Sequence, residues 1–428
     1  MRRRRCLGLL TAELTGLGLV ASACRAPARE RKTLRFWALG REGEVAHELL
    51  TDFRHENPEC QLKIEQFPWS VGHEKILTAV AGDSVPDVAQ LGNSWLAEMV
   101  ALRALTPLDE PLARSPIRAE QYFEGLWATH VLSETLYGLP WTVDTRLLYY
   151  RRDWLQRLGY ESMPTRWDDF LAVLRKIKTS GLAEHPIYLP PNEYEPLLVL
   201  ALQYASELVT QEGRAQFSGQ DFQQALGRYL ALFHTGLAST KVHSQLINLW
   251  QDFAQGRYAC FVSGPWGMGE LRRRLPPAQM GIWATAPMPG PSGVGDSMVG
   301  GSSLVIFRQC RHPELAWKLM AYLSRPAVQK RLFHLTGNLP PGPQVWKQTG
   351  LHEDSAARAF LTQLYHVKAT PAVPQWERVA NEMQIMAARQ IEEAPSASQL
   401  EKRLRDFDTH IDAILEKYRA VRAMGAPA

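Results

Sequence analysis

Two His-Glu pairs are the first places where this sequence could do metal chemistry. His47-Glu48 and His73-Glu74 lack a second histidine four residues on, where Thr51 and Leu77 stand, so the helical zinc-protease spacing is missing. There is no phosphate-cradling GxxxxGK[ST], no GxGxxG after a strand and no GxSxG nucleophile elbow. The 12 histidines are scattered and no CxxC occurs, so neither a metal nor a cofactor is expected. The carboxylates keep two readings open. Asp144 and one of Glu42 or Glu44 could form the pair that glycoside hydrolysis needs, with carboxyls about 5–9.5 Å apart. Asp144 could equally accept bonds from two hydroxyls of a bound ligand, or simply form a turn, while Glu42 and Glu44 could do no more than favour a helix N-terminus. Asp168-Asp169 is set aside, because Thr165-Arg166-Trp167-Asp168 is a capping-box pattern that starts a helix.

These residues need elements to hold them, and 428 residues allow two or three domains. Hydrophobic content of 45% and charged content of 21% are those of a globular chain, which excludes a disordered, collagen-like or multispan protein. The net charge is only +4, most of it on Arg2, Arg3, Arg4 and Arg5, so the chain is not expected to bind nucleic acid electrostatically. Those arginines precede an apolar run, Leu7 to Val20, and then Ala21-Ser22-Ala23-Cys24, the three parts of an export signal over 1–23. Small residues before Cys24 resemble a bacterial lipobox whose cysteine is diacylated, although Ala21 stands where that pattern has leucine. Ala21-x-Ala23 also reads as an ordinary signal-peptidase site. Residues 24–31 form a polar tether. Beyond Cys24 only Cys60, Cys260 and Cys310 remain, an odd count that argues against a disulfide framework.

From Thr33 the pattern reads strand, helix, strand: Thr33-Leu34-Arg35-Phe36-Trp37-Ala38, then Val45, Leu49, Leu50 and Phe53 at helical spacing, then Gln61-Leu62-Lys63-Ile64-Glu65. That is the signature of a parallel α/β sheet. A helix over 75–81 and a buried run Val88-Ala89-Gln90-Leu91 extend it, and loops at the carboxyl ends of such strands bind ligands. A second α/β unit is expected from Leu147-Leu148-Tyr149-Tyr150, a mainly helical stretch over 168–255 and a strand over 258–263. Helices broken near Pro371 and Pro374 follow over 355–420. Gly300-Gly301 is expected to reverse the chain between domains.

Six motifs in order then carry a resemblance over nearly the whole mature chain. They are Gly82-Asp83-Ser84-Val85-Pro86-Asp87-Val88 with Asn93-Ser94-Trp95; Tyr137-Gly138-Leu139-Pro140-Trp141-Thr142-Val143-Asp144-Thr145 leading to Tyr149-Tyr150; and Pro164-Thr165-Arg166-Trp167-Asp168-Asp169-Phe170. Phe253-Ala254-Gln255-Gly256-Arg257-Tyr258-Ala259 leading to Ser263-Gly264-Pro265-Trp266, Gly300-Gly301-Ser302-Ser303, and Thr336-Gly337-Asn338-Leu339-Pro340 complete the set. With these the chain resembles the extracellular sugar-binding proteins of bacterial ABC importers, the maltose-binding-like group. The resemblance implies an α/β, two-lobed periplasmic-binding-protein fold of type II, with discontinuous lobes joined by hinge strands: 32–140 with 302–345, and 141–301 with 346–428. It implies a monomer that closes on a carbohydrate between its lobes and hands it to permease subunits in the inner membrane.

Such a cleft needs flat aromatic faces for sugar C–H surfaces and a few fixed donors and acceptors for hydroxyls. Trp266, in a glycine-flanked turn after a strand, is the leading platform. Trp376, which matches an aromatic position of the family, and Trp37 and Trp69 either stack on ligand or belong to the core. Asn93 and Ser94 either meet sugar hydroxyls or cap the helix that Trp95 opens. Asp144, Glu42, Gly301, Ser302 and Arg378 complete the expected site, Arg378 as a hydroxyl donor or as a solvated helix charge. Several aromatic candidates favour a di- or oligosaccharide. Relatives that bind glycerol phosphates share many of the motifs, but no Arg/Lys cluster stands in the expected contact loops.

Overall fold

The computed structural model describes residues 31–204, 207–210, 212–240 and 248–423; the export signal, Cys24 and most of the tether lie outside them. The described residues hold twelve strands: β1 (Lys32–Leu39), β2 (Cys60–Phe67), β3 (Val88–Gly92), β4 (Val131–Leu132), β5 (Thr135–Leu136), β6 (Leu139–Thr145), β7 (Leu147–Arg151), β8 (Ile187–Tyr188), β9 (Cys260–Ser263), β10 (Trp283–Ala286), β11 (Ser297–Ile306) and β12 (Val367–Lys368). They form a six-stranded sheet, β12-β11-β3-β1-β2 with β6 on β11, a four-stranded sheet, β10-β7-β9-β8, and the small β4-β5 pair.

β1 runs parallel to both β2 and β3, the expected crossover unit, whereas β11 runs antiparallel to β3 and β6. The period-two alternation of β1 serves two cores. Leu34, Phe36 and Ala38 face the core under the helices Gly40–Leu49 and Pro313–Leu323. Trp37 and Leu39 face the core under Trp69–Ala81. β2 sits at the edge and keeps every second residue wet, while β3 is buried throughout. The four-stranded sheet packs with the helices Trp167–Thr179, Glu195–Gln203, Gln220–His234, Trp376–Glu393 and Ala397–Ala423 around a second large core. No helix among the described residues is long and apolar enough to cross a membrane. The cysteines Cys60, Cys260 and Cys310 are all free.

Only Arg146 separates β6 of the six-stranded sheet from β7 of the four-stranded sheet. The chain returns through β11, whose Ser297 hydroxyl donates to the Arg146 carbonyl at 2.7 Å. β6 and β11 pair from Val299 with Thr145 to Leu304 with Leu139, with a register shift between Ser302 and Ser303. Contrary to the expectation from the sequence, Gly300 and Gly301 do not reverse the chain. They lie inside β11. Gly301 has φ +134°, and a Cβ there would stand 2.2 Å from the Thr142 carbonyl, so close strand approach explains the glycine.

The expected capping box at 165–168 and the capping alternative for Asn93 and Ser94 are not what the structure shows. The helix Trp167–Thr179 begins as read, but Arg166 is its N-cap and no side chain caps it. Asn93 and Ser94 form a 3₁₀ turn with Trp95 and cap nothing; their side chains are engaged elsewhere.

Candidate functional site

A cavity of about 560 Å³ opens where the carboxyl ends of β1 and β3 meet the paired strands β6 and β11 and three helix starts of the other sheet's layer. Its floor is Thr142, Val143 and Asp144 of β6 with Met298, Val299, Gly300 and Gly301 of β11. One wall carries Arg41, Glu42, Trp69, Asn93, Ser94 and Trp95; the other carries Tyr194, Glu195, Pro265, Trp266 and Glu377.

Trp69 and Trp266, on opposite walls, are the large exposed indoles, at 39% and 40% accessible, in a molecule that buries most of its aromatic area. Trp69 starts its helix and stands edge-on to Trp95, ring centroids 5.6 Å apart. Behind Trp95, His73 lies 4.9 Å away and bonds Glu98 at 2.6 Å. Burial works against charge on His73, but the Glu98 bond and the nearby carboxylates outweigh it and raise its pKa. Trp266 starts the helix Trp266–Arg274 and folds back over Gly264, where a Cβ would lie 2.2 Å from the indole. The Tyr149 hydroxyl donates to the Gly264 carbonyl at 2.8 Å and pins that turn.

Between the indoles lies a chain of charges. Arg146 donates to Asp144 Oδ2 at 2.5 Å and to Glu195 Oε1 at 3.0 Å, and its guanidinium stands 4.8 Å from the Trp266 ring centre. Burial opposes the guanidinium charge, but the two carboxylates more than offset it and hold its pKa above the ordinary arginine value. Asp144 Oδ1 is buried and has no protein partner. Glu42, buried against β1, accepts from Gln90 at 3.1 Å, and burial pushes its pKa up to about 7 against the hydrogen bonds that lower it. Glu377 accepts from the Ser94 hydroxyl at 2.5 Å, and burial raises its pKa too. Arg41, at the rim, pairs with Glu44 at 2.5 Å.

Of the residues singled out in the sequence, Trp266, Trp69, Trp95, Asn93, Ser94, Asp144, Glu42 and Gly301 line this cavity. Four do not. Trp37 is 5% exposed under the helix Trp69–Ala81, edge-on to Phe67 at 5.0 Å, because its place in β1 points it into the core rather than to the strand end. Trp376 is 1% exposed in the core of the four-stranded sheet and stands edge-on behind Tyr194 at 6.3 Å, so the aromatic that reaches the cavity there is Tyr194. Ser302 is buried and shares a hydrogen bond with Thr142 at 2.8 Å, tying the two floor strands together. Arg378 is exposed on its helix, away from the cavity. Sequence reasoning missed Arg146, Tyr194, Glu195 and Glu377. Arg146 had one signal available, as a cation two residues beyond Asp144 at the junction of two strands.

Residues 37–330 match the family model described as bacterial extracellular solute-binding protein. The solved structure of the sugar-binding protein MalE from the phytopathogen Xanthomonas citri is similar at 42% identity, with a TM-score of 0.86 over 92% of this chain and 99% of that one. A putative binding protein of Brucella abortus is 26% identical over 94% of this chain and 98% of its own length. An arabinooligosaccharide-binding protein of Halalkalibacterium halodurans is 22% identical over 77% of this chain and 75% of its own.

Proposed function

Because this chain belongs to the bacterial extracellular solute-binding proteins, we propose that it captures a neutral di- or oligosaccharide between its lobes and delivers it to the permease of an ABC importer. The observation that carries this reading is the opposed pair of exposed indoles, Trp69 and Trp266, opening on one cavity whose floor holds the unpartnered acceptor Asp144 Oδ1. Indole faces suit the apolar C–H faces of pyranose rings, and two platforms suit two rings better than one. A buried acceptor without a donor costs free energy that a ligand hydroxyl recovers.

Charge argues for a neutral ligand. Arg146 is engaged by Asp144 and Glu195, and Arg41 by Glu44. A phosphate or carboxylate ligand would meet Asp144, Glu42 and Glu377 with no uncommitted cation among these lining residues. That weighs against a glycerol-phosphate ligand. The lobes are proposed as 32–140 with 302–345 and 141–301 with 346–428, β6 and β11 forming the hinge between them. A monomer exported by the signal over 1–23 and anchored through lipidated Cys24 completes the reading; Cys24→Ser would then abolish labelling by radioactive palmitate.

Thermal-shift screening of the mature chain against a sugar panel tests the function. A ligand at 100 times its Kd adds about 2.7 kcal/mol of stability and is recovered chemically unchanged after long incubation. A panel of neutral mono-, di- and oligosaccharides that produces no shift, or a sugar recovered hydrolysed, overturns it.

A further inference from the structure

We propose that Arg146 is a positioning residue: its guanidinium backs one face of Trp266 and holds the indole as a one-sided platform for a sugar ring. The inference rests on the sugar-binding reading above and deepens it.

Trp266 is exposed and sits at the first turn of a helix, where a side chain is ordinarily free to change rotamer. It is restrained here from two directions. Gly264 lies against the Cε3–Cζ3–Cη2 edge of the six-membered ring, where no Cβ could fit. The guanidinium of Arg146 stands over the ring, 4.8 Å from its centre, within the roughly 6 Å reach of a cation–π contact.

Arg146 is itself immobilised. Its carbonyl accepts from Ser297 at 2.7 Å, and its two terminal nitrogens are committed to Asp144 of β6 and Glu195 on a facing helix. The Asp144 and Glu195 carboxylates and Tyr194 are the ionisable groups that raise its pKa, and all three line the cavity; Glu193 and Tyr149 also interact with its charge. A planar fork in this position can bond two carboxylates in its plane while presenting its flat face to the indole, which an ammonium cannot do. Arg146 also occupies the single position between β6 and β7, so the platform is fixed to the strand junction and not only to its own loop. A ring stacked on Trp266 therefore meets the face opposite the guanidinium, and Asp144, held by the same arginine, keeps Oδ1 free for that ring's hydroxyl.

Arg146→Lys keeps a cation beside both carboxylates and so preserves the fold, but lacks the flat face. Protein labelled with 5-fluorotryptophan tests the contact without ligand: the ¹⁹F resonance of Trp266, assigned by its loss in Trp266→Phe, is expected to move in Arg146→Lys while the other indole resonances hold. With a sugar that binds wild type, Kd is expected to rise about tenfold in Arg146→Lys, the equivalent of about 1.4 kcal/mol. In a Trp266→Ala background the same change is expected to alter Kd less than twofold, because the arginine acts through the indole. An unmoved Trp266 resonance overturns the proposal. So does an unchanged Kd in Arg146→Lys, or two losses that multiply in the double variant. If wild type binds no sugar, the functional reading fails by itself, and the fluorine resonance still decides the role of Arg146.

Discussion

Ser94 and Glu377, 283 residues apart in the chain, share a hydrogen bond of 2.5 Å across the cavity. Ser94 follows β3 of the six-stranded sheet, and Glu377 lies in the first turn of a helix whose apolar face, with Trp376, Val379 and Met383, enters the core of the four-stranded sheet. The bond thus joins the two walls while the floor strands β6 and β11 join them below.

Ser94→Ala removes that bond and nothing else, since the serine backbone stays in its 3₁₀ turn. The ligand-free protein is expected to open, with a larger radius of gyration in small-angle scattering. A hydrogen bond to a charged group contributes about 1.5–3 kcal/mol, so sugar affinity is expected to fall by about tenfold or more. Unchanged scattering and affinity would show that the bond does not govern closure.

Glu42 and His130, the latter fully buried with its ring nitrogens bonded to the Leu126 carbonyl at 2.9 Å and the Ser303 hydroxyl at 2.8 Å, set opposite pH slopes on stability. Burial raises Glu42 from 4.5 to about 7 and lowers His130 from 6.5 to about 4. Between 4.5 and 7 the folded chain holds a proton on Glu42 that the unfolded chain has lost, so this contribution is full below 4.5 and disappears as pH rises to 7. His130 is the reverse: its contribution is full above 6.5 and is lost as pH falls through 4. Urea unfolding at pH values from 4.5 to 8 checks both. Relative to wild type, Glu42→Gln should gain about 3 kcal/mol between the ends of the Glu42 window, and His130→Gln should lose the acid-side weakening. Parallel curves for all three proteins would refute these assignments.

Gly301→Ala places a methyl 2.2 Å from the Thr142 carbonyl at a φ of +134°. Neither the backbone of β6 nor that of β11 can move without breaking their ladder, so the variant is expected to lose at least about 2 kcal/mol of stability. Its melting temperature without ligand measures this, and a melting point equal to wild type would mean that the strands part readily there.

What was legible in the sequence was periodicity and local punctuation. The alternation in β1 and the run Val88 to Leu91 announced the parallel sheet, and the turn Ser263-Gly264-Pro265 announced an exposed Trp266. What stayed hidden was direction. Trp37 belongs to a real strand, but which core its side chain enters depends on the helix laid over it. At the helix start 376–378 the reading named Trp376 and Arg378, yet rotation about the helix axis buries the first, exposes the second and turns Glu377 between them into the cavity. Glu195 escaped for another reason: nothing local marks it, and only Arg146, 49 residues earlier, gives it a role.

Trp266 and Trp376 provide the sharpest contrast, because the same substitution should have opposite consequences. Trp266 is 40% exposed and rests on Gly264 and Arg146, so Trp266→Ala leaves no cavity in a core. It is expected to melt near wild type while binding sugar at least about thirtyfold more weakly, the equivalent of about 2 kcal/mol for an aromatic anchor. Trp376 is 1% exposed among Val379, Ala380 and Met383 of the large core. Trp376→Ala is expected to lose about 3–5 kcal/mol of stability, and its affinity, measured well below its melting point, should change less, through the loosened Tyr194. Calorimetry with and without sugar on both variants separates stacking from packing. A Trp266→Ala that unfolds early yet still binds, or a Trp376→Ala that melts normally and loses binding, would exchange the roles assigned to the two tryptophans.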